Sequence, residues 1–291
     1  MITTKTYYAS LKGVREHNED THIIDNNGTN YLWGVYDGHG GKDVSKYLGT
    51  HLGKNLLSTK SAKGYTSPYI RSLYDKVQSQ LIKDAVVNTT DTGSTAIVVV
   101  MTGNRLQVVN VGDCRVVICQ NGLAVALSTD HKPDWINERM RIEKVGGKVW
   151  LDKEDDVYRV EDLSVSRSFG DTDYSKYVTH KPEISSHRVK SSDQFMIIAC
   201  DGLWDVMDSQ EAVNYILSNS DKSNVAKSLA NHAIRDKRTV DNVTVIVVYF
   251  NDSNKSKSTT LSVKTKGRPK DKRKKKNTNK KIKKGNKSMK K

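Results

Sequence analysis

The chain has 291 residues, of which 36% are hydrophobic and 28% charged, with a formal net charge of +15. That length fits one large domain or two small ones, and a single core of this size buries roughly three quarters of the unfolded surface. No apolar run approaches the ~18 residues of a membrane span, no basic start with an apolar stretch marks a signal peptide, and three cysteines (Cys114, Cys119, Cys200) do not make a secreted disulfide scaffold.

Tyr31–Tyr36 is an apolar run read as a strand. Val44, Leu48, Leu52 and Leu56 recur every four residues and predict an amphipathic helix over 42–57. Ser67-Pro68, a cap followed by proline at the first helical position, opens a second helix with Ile70, Leu73, Tyr74, Val77 and Leu81 on one side. Four short, β-branched runs follow: Thr95–Met101, Leu106–Val111, Arg115–Cys119 and Leu123–Leu127. The turn signals Gly103-Asn104 and Asn121-Gly122 join strands there into hairpins. Ile136, Met140 and Val145 predict a third helix, stopped by Gly146-Gly147. Phe195–Cys200 and Val243–Phe250 are further strands. Between them, Asp208 with Glu211 forms a capping box, and Val225, Leu229 and Ala233 mark a fifth helix. The strands are nearly continuously apolar, so both faces should be covered, and hairpins argue for antiparallel pairing. The expected class is α+β: two packed antiparallel sheets flanked by helices.

The charge is unevenly placed. Residues 254–291 carry 18 Lys and Arg against one acid, Asp271, whereas residues 1–253 hold 30 basic and 32 acidic residues. All twenty aromatic residues precede the tail, whose only larger apolar side chains are Leu261, Val263, Ile282 and Met289. Such a segment cannot bury enough apolar surface to offset its ordering entropy, so the expectation is one domain over 1–253 and a disordered tail over 254–291.

Acids recur at the ends of the expected strands. Tyr31–Tyr36 runs into Asp37-Gly38-His39, Phe195–Cys200 into Asp201, and Asp241 precedes the last strand. Asp113 follows another strand, and Glu19-Asp20 stand near Arg15 in the first stretch. One Asp-Gly is ordinarily a plain turn. Several carboxylates gathered at one rim could not all stay ionised without cations, and all-oxygen ligation suits Mg²⁺ or Mn²⁺ rather than Zn²⁺.

The stretches that carry these acids resemble the metal-dependent serine/threonine protein phosphatases, the type 2C family. They are Arg15–Asp20 (REHNED), Gly34–Gly41 (GVYDGHGG), Gly93–Ala96 (GSTA), Asn110–Arg115 (NVGDCR), Leu127–Pro133 (LSTDHKP), Leu163–Asp171 (LSVSRSFGD), Ile198–Val206 (IACDGLWDV) and Asp241–Val248 (DNVTVIVV). They span about 15–248. The resemblance implies a central antiparallel β-sandwich flanked by antiparallel helices. It also implies Mn²⁺- or Mg²⁺-dependent hydrolysis of phosphoserine and phosphothreonine in phosphoprotein substrates.

Carried over by motif, Asp37 would bridge two ions, Asp201 and Asp241 would complete the first, and Glu19 with the Gly38 carbonyl would serve the second. Asp113 would help to hold a third, weaker ion, with Asp205 as a neighbour. Two cations about 3.5–4 Å apart activate water and offset charge on phosphoryl oxygens. Asp20 would accept hydrogen bonds from the ions' remaining waters. Arg15 is the expected phosphate clamp, because its planar fork matches two oxygens at once; the plain alternative is a surface ion pair with Glu16 or Glu19. His39 is the candidate general acid for the departing alkoxide. Cys114 stands where the family usually has serine. It is read as a buried, inert thiol, with an oxidation-sensitive one as the alternative.

Residues 146–182 would include the family's flap, with Asp152, Glu154, Asp155 and Asp156 making its surface acidic and favouring basic neighbours around the phosphosite. In the tail, Lys272–Lys276 resembles a nuclear localisation signal, and Lys266–Lys270 the Gly-Arg-Pro core of a minor-groove binder. The tail would attract nucleic acid or another polyanion. The expectation is an intracellular monomer, nuclear or cytoplasmic. Two rival readings are an inactive binding module and a nucleic-acid-associated protein working through its tail. The first is disfavoured because Arg15, Glu19, Asp37, Gly38, Asp201 and Asp241 are all present.

Overall fold

The structure, a computed structural model, describes residues 2–58, 65–84, 86 and 92–252. The Lys-rich segment from residue 254 onward lies outside these residues. Two five-stranded antiparallel sheets stack face to face. One has β13 (Glu183–Arg188), β7 (Arg105–Val111), β6 (Ala96–Thr102), β3 (Asn30–Tyr36) and β2 (Thr21–Asn26), in that order across the sheet. The other has β1 (Ile2–Leu11), β15 (Val243–Asp252), β14 (Asp193–Ala199), β8 (Arg115–Gln120) and β9 (Leu123–Ala126). Short strands β4 (Gly38–His39), β5 (Gly93–Ser94) and β12 (Phe169–Gly170) form a small third sheet, and β10 (Val149–Asp152) pairs with β11 (Val157–Val160).

The period of two along β6 shows how the layers form. Ile97, Val99 and Met101 face the other sheet, where they meet Val116, Ile118, Met196, Ile198, Ile246 and Val248. Val98 and Val100 face the opposite way, against Leu48, Leu52 and Leu56 of α1 (Asp43–Leu57) and Ile70, Tyr74 and Leu81 of α2 (Ser67–Lys83). The second sheet is covered by α4 (Asp201–Trp204), α5 (Ser209–Ser218) and α6 (Val225–Arg235), whose Val213, Ile216, Leu229 and Ala233 pack on Ile197, Val245 and Val247. Helix, sheet, sheet and helix are thus stacked, each burying its apolar face on the next.

The caps follow local chemistry. The Asp208 side chain accepts a hydrogen bond from the Glu211 backbone N–H at 2.8 Å, as a capping residue should. The cap of α2 is Thr66 rather than Ser67, which lies inside the helix with Pro68. Both hairpin turns form as expected, with Asn121 and Gly122 at φ of 50° and 87°.

Helix α3 (Ile136–Lys144) exists, but with the opposite face inward. Ile136 and Met140 are exposed, while Glu138 and Ile142 are buried. Glu138 is bound by Arg141 (2.9 Å) and Arg167, and by the Ser166 hydroxyl (2.8 Å). Burial alone would raise its pKa, but the two guanidinium groups hold it down to about 2. A charged cluster, not an apolar stripe, fixes α3 to the segment leading to Phe169.

Candidate metal and phosphate site

Five segments bring acids to one rim of the sandwich. They are the loop before β2 (Glu19, Asp20), the end of β3 (Asp37), the loop after β7 (Asp113), the start of α4 (Asp201) and the approach to β15 (Asp241). All of these acids but Asp20 line a cleft of about 500 Å³ that also presents Arg15, His39 and, from the flap, Arg159, Asp162, Leu163, Ser164 and Val165.

Two backbone devices hold the rim together. Asn242 accepts a hydrogen bond from the Glu19 backbone N–H (2.9 Å) and donates to the Lys12 (2.8 Å) and His17 (2.9 Å) carbonyls, tying the first loop to β15. Gly38 lies against the Glu19 carbonyl, where an added Cβ would stand 2.7 Å from the oxygen, so only glycine fits this approach.

The electrostatics fit hard cations. Asp20 and Asp113 are 2% and 1% exposed. Asp20 Oδ1 and both Asp113 carboxylate oxygens lack hydrogen-bond partners. Burial pushes the pKa of each up to about 6. Asp37 and Asp201 are pushed well above the usual carboxylate range, by burial first. The Asp201 charge adds for Asp37, and the Asp113 charge for Asp201. Buried, unpartnered, mutually repelling carboxylate oxygens are the donor set that Mg²⁺ or Mn²⁺ takes.

Each expected site residue has a definite place. Arg15 is more than half exposed at the cleft. It pairs with neither Glu16 nor Glu19: Nη2 donates to Asp241 Oδ2 at 2.8 Å, and Nε to the Val240 carbonyl at 3.0 Å. His39 Nε2 lies 2.9 Å from both Asp171 carboxylate oxygens. Burial pulls the His39 pKa down, but the Asp171 hydrogen bond and charge outweigh it, and the net shift is upward. Asp171 is itself fixed by the Ser168 hydroxyl.

Lys132 was missed. Its ammonium lies 2.6 Å from Asp205 Oδ1 and 3.8 Å from Asp113 Oδ2, a cation supplied by the protein beside the carboxylate expected to hold the third ion. The LSTDHKP stretch contained it, but only the fold brings β9's exit loop to that rim. The acidic flap surface also needs correction. Arg159 on β11 bonds Asp152 at 3.1 Å and Asp155, so two of its four acids are neutralised and an arginine faces the cleft. Cys114 and Cys200 are fully buried, and burial raises both thiols well above their usual range.

The same architecture occurs in solved proteins. A serine-threonine phosphatase 2C from Toxoplasma gondii superposes with a TM-score of 0.74 at 23% identity, over 85% of this chain and 95% of that one. A sex determining protein of C. elegans gives 0.75 at 22% identity, over 84% and 64%. At that identity these likenesses show the fold. The sequence is closer to two Arabidopsis thaliana proteins, "Probable protein phosphatase 2C 71" and "Probable protein phosphatase 2C 59", each 41% identical. The first match covers 86% of this chain and 56% of that protein; the second covers 84% and 78%. The family description "Protein phosphatase 2C" matches residues 7–243. With its two-sheet sandwich, its rim of carboxylates and this match along most of its length, the chain belongs to the protein phosphatase 2C family of metal-dependent serine/threonine phosphatases.

Proposed function

We propose that the chain hydrolyses phosphoserine and phosphothreonine in proteins by direct in-line attack of water, with two Mg²⁺ or Mn²⁺ ions. The observation that carries this is the convergence of Asp37, Asp113 and Asp201 on one cleft, each held above the usual carboxylate range by burial first, with Asp113 and the neighbouring Asp20 buried and short of partners. Asp37, Asp201 and Asp241, with Glu19 and the Gly38 carbonyl, would hold the ions. When bound, the ions supply Lewis acidity to the phosphoryl oxygens and to the attacking water.

The chain's own groups do the rest. Arg15, anchored on Asp241, orients the phosphate from the open side of the cleft. Asp20 accepts hydrogen bonds from ordered water. Asp171 holds Nε2 of the His39 ring and favours its protonated form, which leaves Nδ1 to give a proton to the leaving alkoxide. The test is phosphate release from a phosphothreonine peptide with Mn²⁺, with Mg²⁺ and with EDTA. Turnover with either ion that EDTA abolishes is the expected result; a folded, metal-loaded protein inert towards several phosphopeptides would turn the assignment to a binding module.

His39→Asn should lower kcat about 10²-fold, at the low end for general acid catalysis. An acid must be protonated to act, so activity falls as pH rises through the pKa of His39. Asp171→Asn removes the group that raises this pKa, and the alkaline limb of the kcat profile should move to lower pH. An unmoved limb would take His39 out of the proton transfer.

The body-and-tail division at 253–254 and a nuclear, polyanion-binding role for the Lys-rich tail are part of the same proposal. The support is the charge distribution alone, 18 basic residues against one acid. A fluorescent fusion ending at residue 253 should lose nuclear enrichment, and the truncated protein should lose salt-sensitive DNA binding while keeping turnover.

A further inference from the structure

The Asp171 carboxylate that holds His39 stands on an uncommon piece of backbone. Gly170 and Asp171 both have positive φ, 83° and 43°. A Cβ on Gly170 would collide with the Thr92 carbonyl, which accepts the Asp171 backbone N–H at 3.1 Å. A residue other than glycine keeps a left-handed conformation only where its surroundings fix it.

On one side the fixing comes from the small sheet. There β12 pairs with β5, Gly170 opposite Gly93, and β5 pairs with β4, Gly93 opposite His39. Gly93 thus lies between the segments that carry His39 and Asp171, and a Cβ there would meet both side chains. Strand β12 is an outer strand, and among the described residues no strand pairs with its other edge.

That edge is covered by one side chain, Gln78 of α2. Its amide donates to the Gly170 carbonyl at 3.1 Å and accepts the Gly170 backbone N–H at 3.1 Å. These are the two bonds that a neighbouring antiparallel strand would make. Gln78 is 8% exposed, on a helix whose other buried residues are Ile70, Leu73, Tyr74, Val77 and Leu81, so an amide stands where the helix otherwise buries apolar or aromatic side chains. One turn earlier on α2, the Tyr74 ring lies 5.4 Å from that of Phe169, the other residue of β12.

We propose that Gln78 is a positioning residue for the proton transfer: it stands in for a fourth strand of the small sheet and so sets where Asp171 holds His39. The inference rests on the reading of His39 as the general acid. Gln78 is not among the residues that line the cleft, and it acts through Gly170 and Asp171 on Nε2 of His39. Without it, the Gly170 N–H and C=O are buried without these partners, and the Gly170–Asp171 turn is free to relax. A shift of Asp171 turns the ring and carries Nδ1 away from the leaving oxygen. A misplacement of about 1 Å costs a reaction about 10²-fold.

The test compares two substrates on the full-length protein with Mn²⁺. A departing threonine alkoxide needs a proton, whereas p-nitrophenolate leaves as a stable anion, so only the first depends on the general acid. Gln78→Met keeps the side chain's length and removes both bonds. It should lower kcat on a phosphothreonine peptide by about tenfold or more, and leave kcat on p-nitrophenyl phosphate and both KM values within about twofold. In a His39→Asn background it should cost nothing further on the peptide. If Gln78→Met does not fold, Gln78→Asn, one methylene shorter, is measured in the same way with the same expectation. Equal losses on the two substrates, a loss that persists beside His39→Asn, or full activity on the peptide would overturn the proposal. If His39→Asn itself loses both substrates equally, the general-acid reading fails and this one falls with it. If His39→Asn discriminates between the substrates and the Gln78 variants do not, the role of Gln78 alone is overturned.

Discussion

Asp201→Ala is expected to lower metal-dependent kcat/KM by about 10³-fold or more, or ~4 kcal/mol of transition-state stabilisation. Asp201 opens α4 from the end of β14, the central pairing partner of β15 and β8, so its backbone is among the best fixed at the site. Gly202 beside it packs on the Asn242 carbonyl, where a Cβ would collide, which holds the Asp201 and Asp241 segments together. Removing one carboxylate of a shared set costs the reaction more than the fold, because the remaining acids lose a like charge. The variant should therefore melt no lower than the wild type without metal while losing turnover. Steady-state assays with Mn²⁺ beside thermal melts in EDTA check both halves. An active variant would displace Asp201 from the metal set.

The second large effect is on stability. Metal-free protein should lose about 3 kcal/mol between pH 5 and pH 7.5 from Asp20 and Asp113 together, given 1.36 kcal/mol per pKa unit. Both titrate near 6, against an ordinary 3.8. Their pKa values are raised on folding, so their contribution is fully present below about 3.8 and is lost as pH rises through 6. Asp37 and Asp201, pushed up in the same sense, steepen the loss. Divalent ions should reverse it, by about 2.7 kcal/mol at a hundred times the dissociation constant for one site. Asp37→Asn should stabilise the metal-free protein at pH 7.5 and abolish the rescue. Denaturation curves at both pH values, in EDTA and in Mn²⁺, measure all of this. A metal-free stability that is flat over this range would mean that the cluster is relieved without cations.

The central strands were legible because they are buried on both faces: Ile97–Met101 and Val245–Val248 are apolar without interruption. The strands the sequence reading passed over include β1, β2 and β13, and each lies at the edge of a sheet. Edge strands bury little. In β1 only Ala9 is fully covered, and Thr3, Lys5 and Tyr8 face outward, so no apolar signal marks them. Strand β9, also an edge, is marked by the apolar run Leu123–Leu127 and by the Asn-Gly turn before it. The inward face of α3 was misread because its anchor is Glu138, and an ion-pair network between residues 138, 141 and 167 has no periodicity to read.

The site divides in the same way. The acids could be named from the sequence because strand-end carboxylates followed by glycine recur in a fixed order, and that order carried the family. Their partners could not be named. Asp171 under His39, Asp241 under Arg15, Lys132 between Asp113 and Asp205, and Asn242 clamping the first loop join residues 19 to 226 positions apart. Fold class, the body's near neutrality, the basic tail and the donor chemistry can be read from the residues alone, because burial pattern, charge and side-chain type are local properties. Which charges face one another, and how far each is shielded from water, depends on how the segments pack. Those are distances between segments, and they set the pKa values and the ion pairs.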